Sequence, residues 1–238
     1  MEFLGRTELL YGADYCDKIK NKKVAVFGLG GVGGYVVEML CRAGVSNFLI
    51  CDNDIVSVSN INRQIIANVN TVGQKKTDVF LERIHSVNPE AQVRVLHEFV
   101  TPENVGAFID NSFDCVCVAI DTVTSKIGII MECEKCSVPV ISSMGAGNRL
   151  DPLMVRIGDI YETKNDPLAR VMRRELKKRG VDKLKCAYSL ELPLKPLTHQ
   201  GLDAELKNGR PAPGSTAFVP SAFGIAIAAH IMNILIFK

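Results

Sequence analysis

A turn of closely spaced glycines, Gly28-Leu29-Gly30-Gly31-Val32-Gly33, is the first stretch of this chain able to do chemistry. In such a turn Gly28 allows the sharp bend. Gly30 and its neighbour Gly31 leave backbone N–H groups open to a phosphate, and Gly33 lets the next helix lie close to the strand before it. The phosphate then meets a helix N-terminus, where unpaired N–H groups and the helix dipole favour negative charge. Asp52 ends the second apolar run, where an acid can take a ribose hydroxyl; on this turn and acid alone an NAD site fits as well as any other. Asp54, Asn60, Asn62, Arg63 and Gln64 then crowd the same end of the sheet. A nicotinamide needs no such loop. A triphosphate with its metal does, because several negative charges must be held and neutralised at once. Lys76 opens a helix after Gly73-Gln74-Lys75 and reads either as a phosphate contact or as a solvated lysine. Asp121 follows an apolar strand at its carboxyl end, where it can face a ligand or simply cap the next helix.

The elements that must position these residues follow from the apolar pattern. Val24–Phe27 and Phe48–Cys51 read as strands around a helix that stops at Gly44. A helix is expected over Gln74–Ser86, ended by Asn88-Pro89, and a strand over Gln92–Leu96. Thr101-Pro102-Glu103 carries a helix-start signal, with Thr101 as cap and Pro102 at the first position. Cys115–Ile120 reads as a buried parallel strand, Val123–Cys136 as a helix and Val138–Ser142 as a strand. Leu153–Ile157 and Lys185–Leu190 are further candidate strands. Asp166-Pro167 opens a basic helix to Arg179, closed by Gly180. The expected fold is α/β: a Rossmann-like, doubly wound, mainly parallel sheet with a C-terminal α+β extension. We expect one domain, with residues 1–147 as the nucleotide-binding core and 148–238 as the extension. That extension holds an expected mobile loop at 191–215 and an apolar terminal helix, Phe218–Phe237. The last run is long enough to span a membrane, but it contains Pro220, Ser221, His230 and Asn233. A helix buried against the sheet or a dimer partner is the favoured reading, with membrane contact as the other.

With 47% hydrophobic residues the chain can bury a full core, and a net charge of +2 creates no global field toward nucleic acid. Any such partner needs a local patch, and the helix from Asp166 offers one: Arg170, Arg173, Arg174, Lys177, Lys178 and Arg179 oppose an apolar face of Leu168, Val171, Met172 and Leu176. The N-terminus is mixed and carries acids, unlike a cleavable signal sequence. The eight cysteines are scattered through apolar runs and read as reduced thiols. Cys133 and Cys136 form a single CxxC pair, which cannot complete a tetrahedral zinc site. Cys186 reads as a buried thiol with no general base beside it.

The glycine turn, Asp52-Asn53-Asp54 and Asn60-Ile61-Asn62-Arg63-Gln64 together resemble the ThiF/MoeB/HesA adenylating enzymes, relatives of the ubiquitin-activating enzymes. The resemblance implies ATP and Mg²⁺ as cofactors. It makes Asn60, Arg63 and Lys76 phosphate contacts and Asp121 the metal ligand, with Arg63, Lys76, Asp121 and Arg6 as the catalytic set. Asp54 is read as part of the nucleotide site or as a brace for the Arg63 loop. Arg6 matches an N-terminal arginine that twofold dimers of the family offer to the partner's ATP; on its own it would pass for a surface arginine. Phe99-Val100-Thr101-Pro102-Glu103-Asn104, Ser142–Gly147, Asp166-Pro167-Leu168-Ala169 and Pro220–Gly224 resemble the branch that acts on threonylcarbamoyladenosine in tRNA. That branch implies ATP-dependent dehydration and cyclisation of the modified nucleoside through carboxylate adenylation. Its partners would be tRNA, a second copy of the chain and a sulfur-transfer (cysteine desulfurase) system, in the cytoplasm and without stable DNA binding. The alternative is adenylation of the C-terminal glycine of a ubiquitin-like sulfur carrier, against which the missing second CxxC pair argues.

Overall fold

The structure is a computed structural model that describes residues 2–197, 206, 207, 210, 211 and 213–237. Its centre is a seven-stranded sheet of order β3-β2-β1-β4-β5-β7-β6. The strands are β1 (Lys23–Phe27), β2 (Asn47–Cys51), β3 (Gln92–Leu96), β4 (Cys115–Val118), β5 (Val140–Ser143), β6 (Val155–Asp159) and β7 (Lys185–Ser189). All neighbours run parallel except β6, which is antiparallel to β7. β4 is buried along its whole length and β1 and β2 nearly so, as the unbroken apolar runs require of strands covered on both faces. Both strands assigned to the extension join the same sheet.

Helices cover both faces. On one lie α3 (Gly33–Arg42), α4 (Lys76–Val87) and α7 (Phe218–Phe237), packed with Leu4, which precedes α1 (Gly5–Tyr11), and with Tyr15 and Ile19 of α2 (Tyr15–Ile19). On the other lie α5 (Val123–Cys136), the segment from Val100 to Phe113, and α6 (Pro167–Lys177). α7 is apolar all round, as suits a core helix, and lies against α3, β6 and β7. By length and composition it could cross a membrane. In this fold half of that span is buried, and its exposed positions include Ala229 and Asn233 beside Phe218, Ile225 and Phe237. A Cβ on Gly224 would stand 2.5 Å from the Val32 carbonyl oxygen, so only glycine permits this approach of α7 to the start of α3.

The expected helix after Thr101 does not form. Only a 3-10 turn, Val105–Ala107, appears there. Asn104 explains why: its Oδ1 accepts from the Thr101 N–H at 2.8 Å and its Nδ2 donates to the Phe99 carbonyl at 3.0 Å. These local bonds offer the backbone an alternative to a helix, and Gly106 follows at once. Thr101 still caps a turn, accepting from the Glu103 N–H at 3.3 Å. The expected strand at Leu153 begins two residues later, after a 3-10 turn over Pro152–Met154 capped by Asp151. Of the segment 191–215, residues 198–205, 208, 209 and 212 lie outside the described residues. Within it the short strands β8 (Leu206–Lys207) and β9 (Arg210–Pro211) pair antiparallel.

Candidate active site

The strand order reverses direction between β1 and β4, so a crevice opens outside their carboxyl ends. The glycine turn fills its floor. Gly28 adopts φ +91°, and a Cβ there would stand 2.7 Å from the Ala119 carbonyl group at the end of β4. A Cβ on Gly33 would lie 1.8 Å from the Gly28 carbonyl oxygen and 3.1 Å from the Ala119 side chain. The turn is therefore pressed against β4 as tightly as backbone allows. Above Gly30 the space is open: the nearest group to a Cβ there is the Gln64 amide nitrogen, 3.8 Å away. Gln64 is buried, and its Oε1 has no hydrogen-bond partner in the protein. A cradle that is open above Gly30 and bordered by an amide donor fits the phosphate of a nucleotide.

Asp52 ties the turn to the next element. Its Oδ2 accepts the Leu29 N–H at 2.6 Å and its Oδ1 accepts the Asp54 N–H at 2.8 Å. Lys76, at the first position of α4, is 4% exposed. Its ammonium lies 2.8 Å from Asp54 Oδ2 and 4.0 Å from Asp52 Oδ1. Lys75 is its exposed neighbour. Asp54 thus pairs with Lys76, whereas the Arg63 loop is braced by other residues. The Arg63 guanidinium donates to the Ser59 carbonyl and to Asn62 Oδ1, each at 2.8 Å. Asn60 is buried, and its Oδ1 accepts the Ser57 N–H at 3.2 Å, closing a capping box that fixes the 3-10 turn before Arg63. Asn62 also donates from Nδ2 to the Ser215 carbonyl at 3.0 Å, linking this loop to the lead-in of α7. Gly31 packs under the first turn of α7, with Pro220 Cβ 3.1 Å from where its Cβ would be. Asp121 stands exposed three residues beyond β4, between the turn and α5.

Arg6 is not gathered into this site. It lies exposed on α1, whose neighbour Leu4 fills the space beside Gly44 at the far end of α3. The ten residues of α3 put about 15 Å between that end and the glycine turn. Around Arg6 the surface is apolar: Leu9 and Leu10 are 84% and 85% exposed, and the Tyr11 and Phe237 rings lie 6.2 Å apart.

A second wall rises from β5. The loop Met144–Asn148 is tied down at Met144, Gly145 and Asn148. The Met144 N–H donates to the Ala187 carbonyl, and Gly145 donates to Asp166 Oδ2 at 3.0 Å. Asn148, at φ +59°, exchanges bonds with Gly214 and accepts the Leu194 N–H at 2.8 Å. Arg149 is the pin. It is 2% exposed and donates to the carbonyls of Gly145, Asn165 and Glu191 and to Asp166 Oδ2 at 3.4 Å. Asp166 also caps α6 through the Ala169 N–H at 2.9 Å. Sequence reasoning missed Arg149; a lone arginine in a polar turn gives no sign of burial.

No thiol here is poised to react. Cys186 is fully buried on β7, and burial pushes it up to about 12. Burial does the same to Cys133, while Cys136 is raised less. Among the described residues no cluster of histidine, cysteine and acid side chains could hold a metal ion. The basic helix is less free than its composition implies. Arg173 is spent on the Thr163 carbonyl and hydroxyl, and Arg174, Lys178 and Arg179 converge on Glu175. Their hydrogen bonds, that of Arg179 first, hold the Glu175 carboxyl down to about 2. Arg170 and Lys177 complete the exposed cationic face.

The ThiF family model matches residues 5–238. The chain belongs to the ThiF family. It is 40% identical over 235 residues to the tRNA threonylcarbamoyladenosine dehydratase of Bacillus subtilis (strain 168), spanning 95% of this chain and 92% of that one. The enzyme of the same name from Escherichia coli (strain K12) is 33% identical over 98% of this chain and 93% of its own. The crystal structure of the E. coli enzyme, TcdA, in complex with ATP superposes with a TM-score of 0.90 at 32% identity, covering all of this chain and 95% of the other. The seven-stranded, mostly parallel sheet with its flanking helices is the architecture they share.

The Arg149 pin yields a stability test. Arg149→Met should leave the buried Asp166 carboxylate without its cation and three carbonyls without this donor, costing about 3–5 kcal/mol. Arg149→Met with Asp166→Asn should recover part of that loss. Urea denaturation of both variants checks this; equal loss in the two would mean that the pair is not coupled.

Proposed function

We propose that this protein uses ATP to dehydrate threonylcarbamoyladenosine in tRNA to its cyclic form. The observation that carries the reading is the coincidence of two features in one chain. Near full-length similarity to tRNA threonylcarbamoyladenosine dehydratases accompanies a cleft in which a glycine turn, Lys76, Arg63 and Gln64 converge.

In this reading Gly28, Gly30, Gly31 and Gly33 shape the phosphate cradle, and Asp52 takes the ribose while holding the turn. Asn60 fixes the loop from which Arg63 reaches the phosphates. Lys76 exchanges its bond to Asp54 for phosphate oxygen. Asp121, a hard oxygen donor at the end of β4, fits a divalent cation; Mg²⁺ there would neutralise phosphate charge. The side-chain carboxylate of the modified nucleoside attacks the α-phosphorus, and pyrophosphate leaves as Arg63 and Lys76 stabilise the developing charge. The carbamoyl group of the same modification attacks the activated carbonyl, AMP departs and the ring closes with net loss of water. The nucleophile is already tethered, so no enzyme thiol is required, in keeping with the burial of Cys186. Arg6 acts in trans: a twofold dimer that covers Leu9, Leu10 and Phe237 would carry it to the partner's nucleotide. The cationic face of α6 begins at the wall of the cleft and suits the tRNA backbone; the setting is the cytoplasm.

Nucleoside mass spectrometry of tRNA incubated with the protein and ATP should show loss of threonylcarbamoyladenosine and growth of a species lighter by one water. Lys76→Met should reduce that conversion roughly 100-fold or more. Conversion without ATP, or none with it, would overturn the reading.

Charge reversal of Arg170, Arg174 and Lys177 to glutamate should weaken tRNA binding at least tenfold at physiological salt and flatten its salt dependence, leaving ATP binding in place. Unchanged tRNA affinity across a salt series would return α6 to an ordinary solvated helix.

Arg6→Ala should lower turnover strongly and ATP affinity modestly, and Asp121→Asn should be nearly inactive. Mixed dimers of the two then contain one intact site, with Arg6 from one chain and Asp121 from the other. If no activity returns under conditions where subunits exchange, Arg6 does not cross.

A further inference from the structure

Lys126 is 1% exposed, yet it carries an ammonium into the core one turn into α5. Its Nζ donates to the Val118 carbonyl at 3.3 Å, the Ser143 carbonyl at 2.7 Å and Ser142 Oγ at 3.4 Å. Val118 and Ser143 are the last residues of β4 and β5. One side chain therefore gathers the ends of the two strands between the glycine turn and the Met144–Asn148 wall. On one side Ala119, next after Val118, is the group against which Gly28 and Gly33 press. On the other, Met144 starts the wall pinned by Asp166 and Arg149.

We infer that Lys126 is a positioning residue for the adenylation step: its buried cation sets the gap between the nucleotide turn and the substrate-side wall and presents a fixed positive charge beneath the cleft. This assignment rests on the dehydratase reading above. A merely structural pin is a poor account of it. A neutral donor could tie the same oxygens without the cost of burying an ammonium, so the charge itself asks for a role. Inside the protein it is screened little, so it acts on phosphate charge at the cleft as a preorganised group.

The groups around it are Cys117 on β4, Asp121 beyond β4, Asp166 at the start of α6 and Cys186 on β7. Burial holds both thiols up at about 12, so neither ionises near neutrality. Burial lowers Lys126 itself to about 8, against the opposing pull of these neighbours. The cation is thus complete below that value and lost as pH rises through it, and turnover should follow.

The test is single-turnover conversion of threonylcarbamoyladenosine in tRNA between pH 6.5 and 9.5, with ATP affinity measured in parallel. Wild-type turnover should decline with a midpoint near 8 while ATP affinity changes less than about threefold. Lys126→Met leaves the Val118 and Ser143 carbonyls without this donor and should melt lower than wild type; where folded it should bind ATP within about threefold, lose roughly 30-fold in turnover at pH 7 and show no decline from 7 to 9.5. Turnover of Lys126→Met equal to wild type, or an unchanged alkaline decline in it, overturns the assignment. If that variant does not fold, the wild-type profile decides: a flat one overturns the assignment and a midpoint near 8 supports it. Absence of conversion by wild type at every pH is a different failure, that of the dehydratase reading itself.

Discussion

The carboxylate of Asp52 accepts the Leu29 N–H on one oxygen and the Asp54 N–H on the other, and the Lys76 ammonium faces it across 4.0 Å. Three separate segments meet on that one group: the glycine turn, the loop after β2 and the start of α4. Without it the turn would keep its sharp bend but lose its fixed height above β2. The Lys76 cation would then rest on Asp54 alone, whose carboxylate is half exposed. A cation that is nearly sealed from water but bonded to an exposed acid can exchange partners when a stronger anion enters. The desolvation is already met by the fold, so the arriving phosphate need not drive it.

The opposite wall follows another logic. Arg149 and Asp166 are almost fully buried and bonded on every side by backbone. Such a pair cannot exchange partners; it contributes shape. It fixes the Met144–Asn148 loop, and through Asn148 it fastens Leu194 and Gly214 to the sheet. Asn62 adds a tie from the Arg63 loop to Ser215. Both ends of the long connection between β7 and α7 are thereby anchored at the mouth of the cleft.

Much of this was legible in the sequence because it depends on local pattern. Unbroken apolar runs marked β1, β2 and β4, since strands buried on both faces leave no polar positions. α5 and α7 began and ended where the pattern placed them, and the glycine turn revealed itself by spacing. What escaped depends on which side-chain bonds form, near in sequence or far. Thr101-Pro102 signals a helix start, but Asn104 bonds back to Thr101 and Phe99 and the turn closes instead. The cations of α6 could be counted, but not the convergence of three of them on Glu175. Nothing in the local pattern around Lys126 marks it as buried. Only the register of β4 with β5, whose paired residues lie 24 positions apart, closes over it. The family resemblance supplied Arg6, which neither pattern nor the geometry of its own subunit would select.

The two buried lysines show how one sheet end can both hold and release charge. Lys76 sits beside exposed Asp54 and faces the open side of the cleft; Lys126 sits beneath it, bonded to carbonyls that belong to the strands. A phosphate can take the first from its partner, but nothing can take the second without parting β4 from β5. The exchangeable cation answers to the ligand, and the locked one stays the same before and after phosphate leaves. A site that must pass from triphosphate to monophosphate needs both kinds: with only exchangeable cations the cleft would loosen as pyrophosphate departs, and with only locked ones it would pay full desolvation on every binding event.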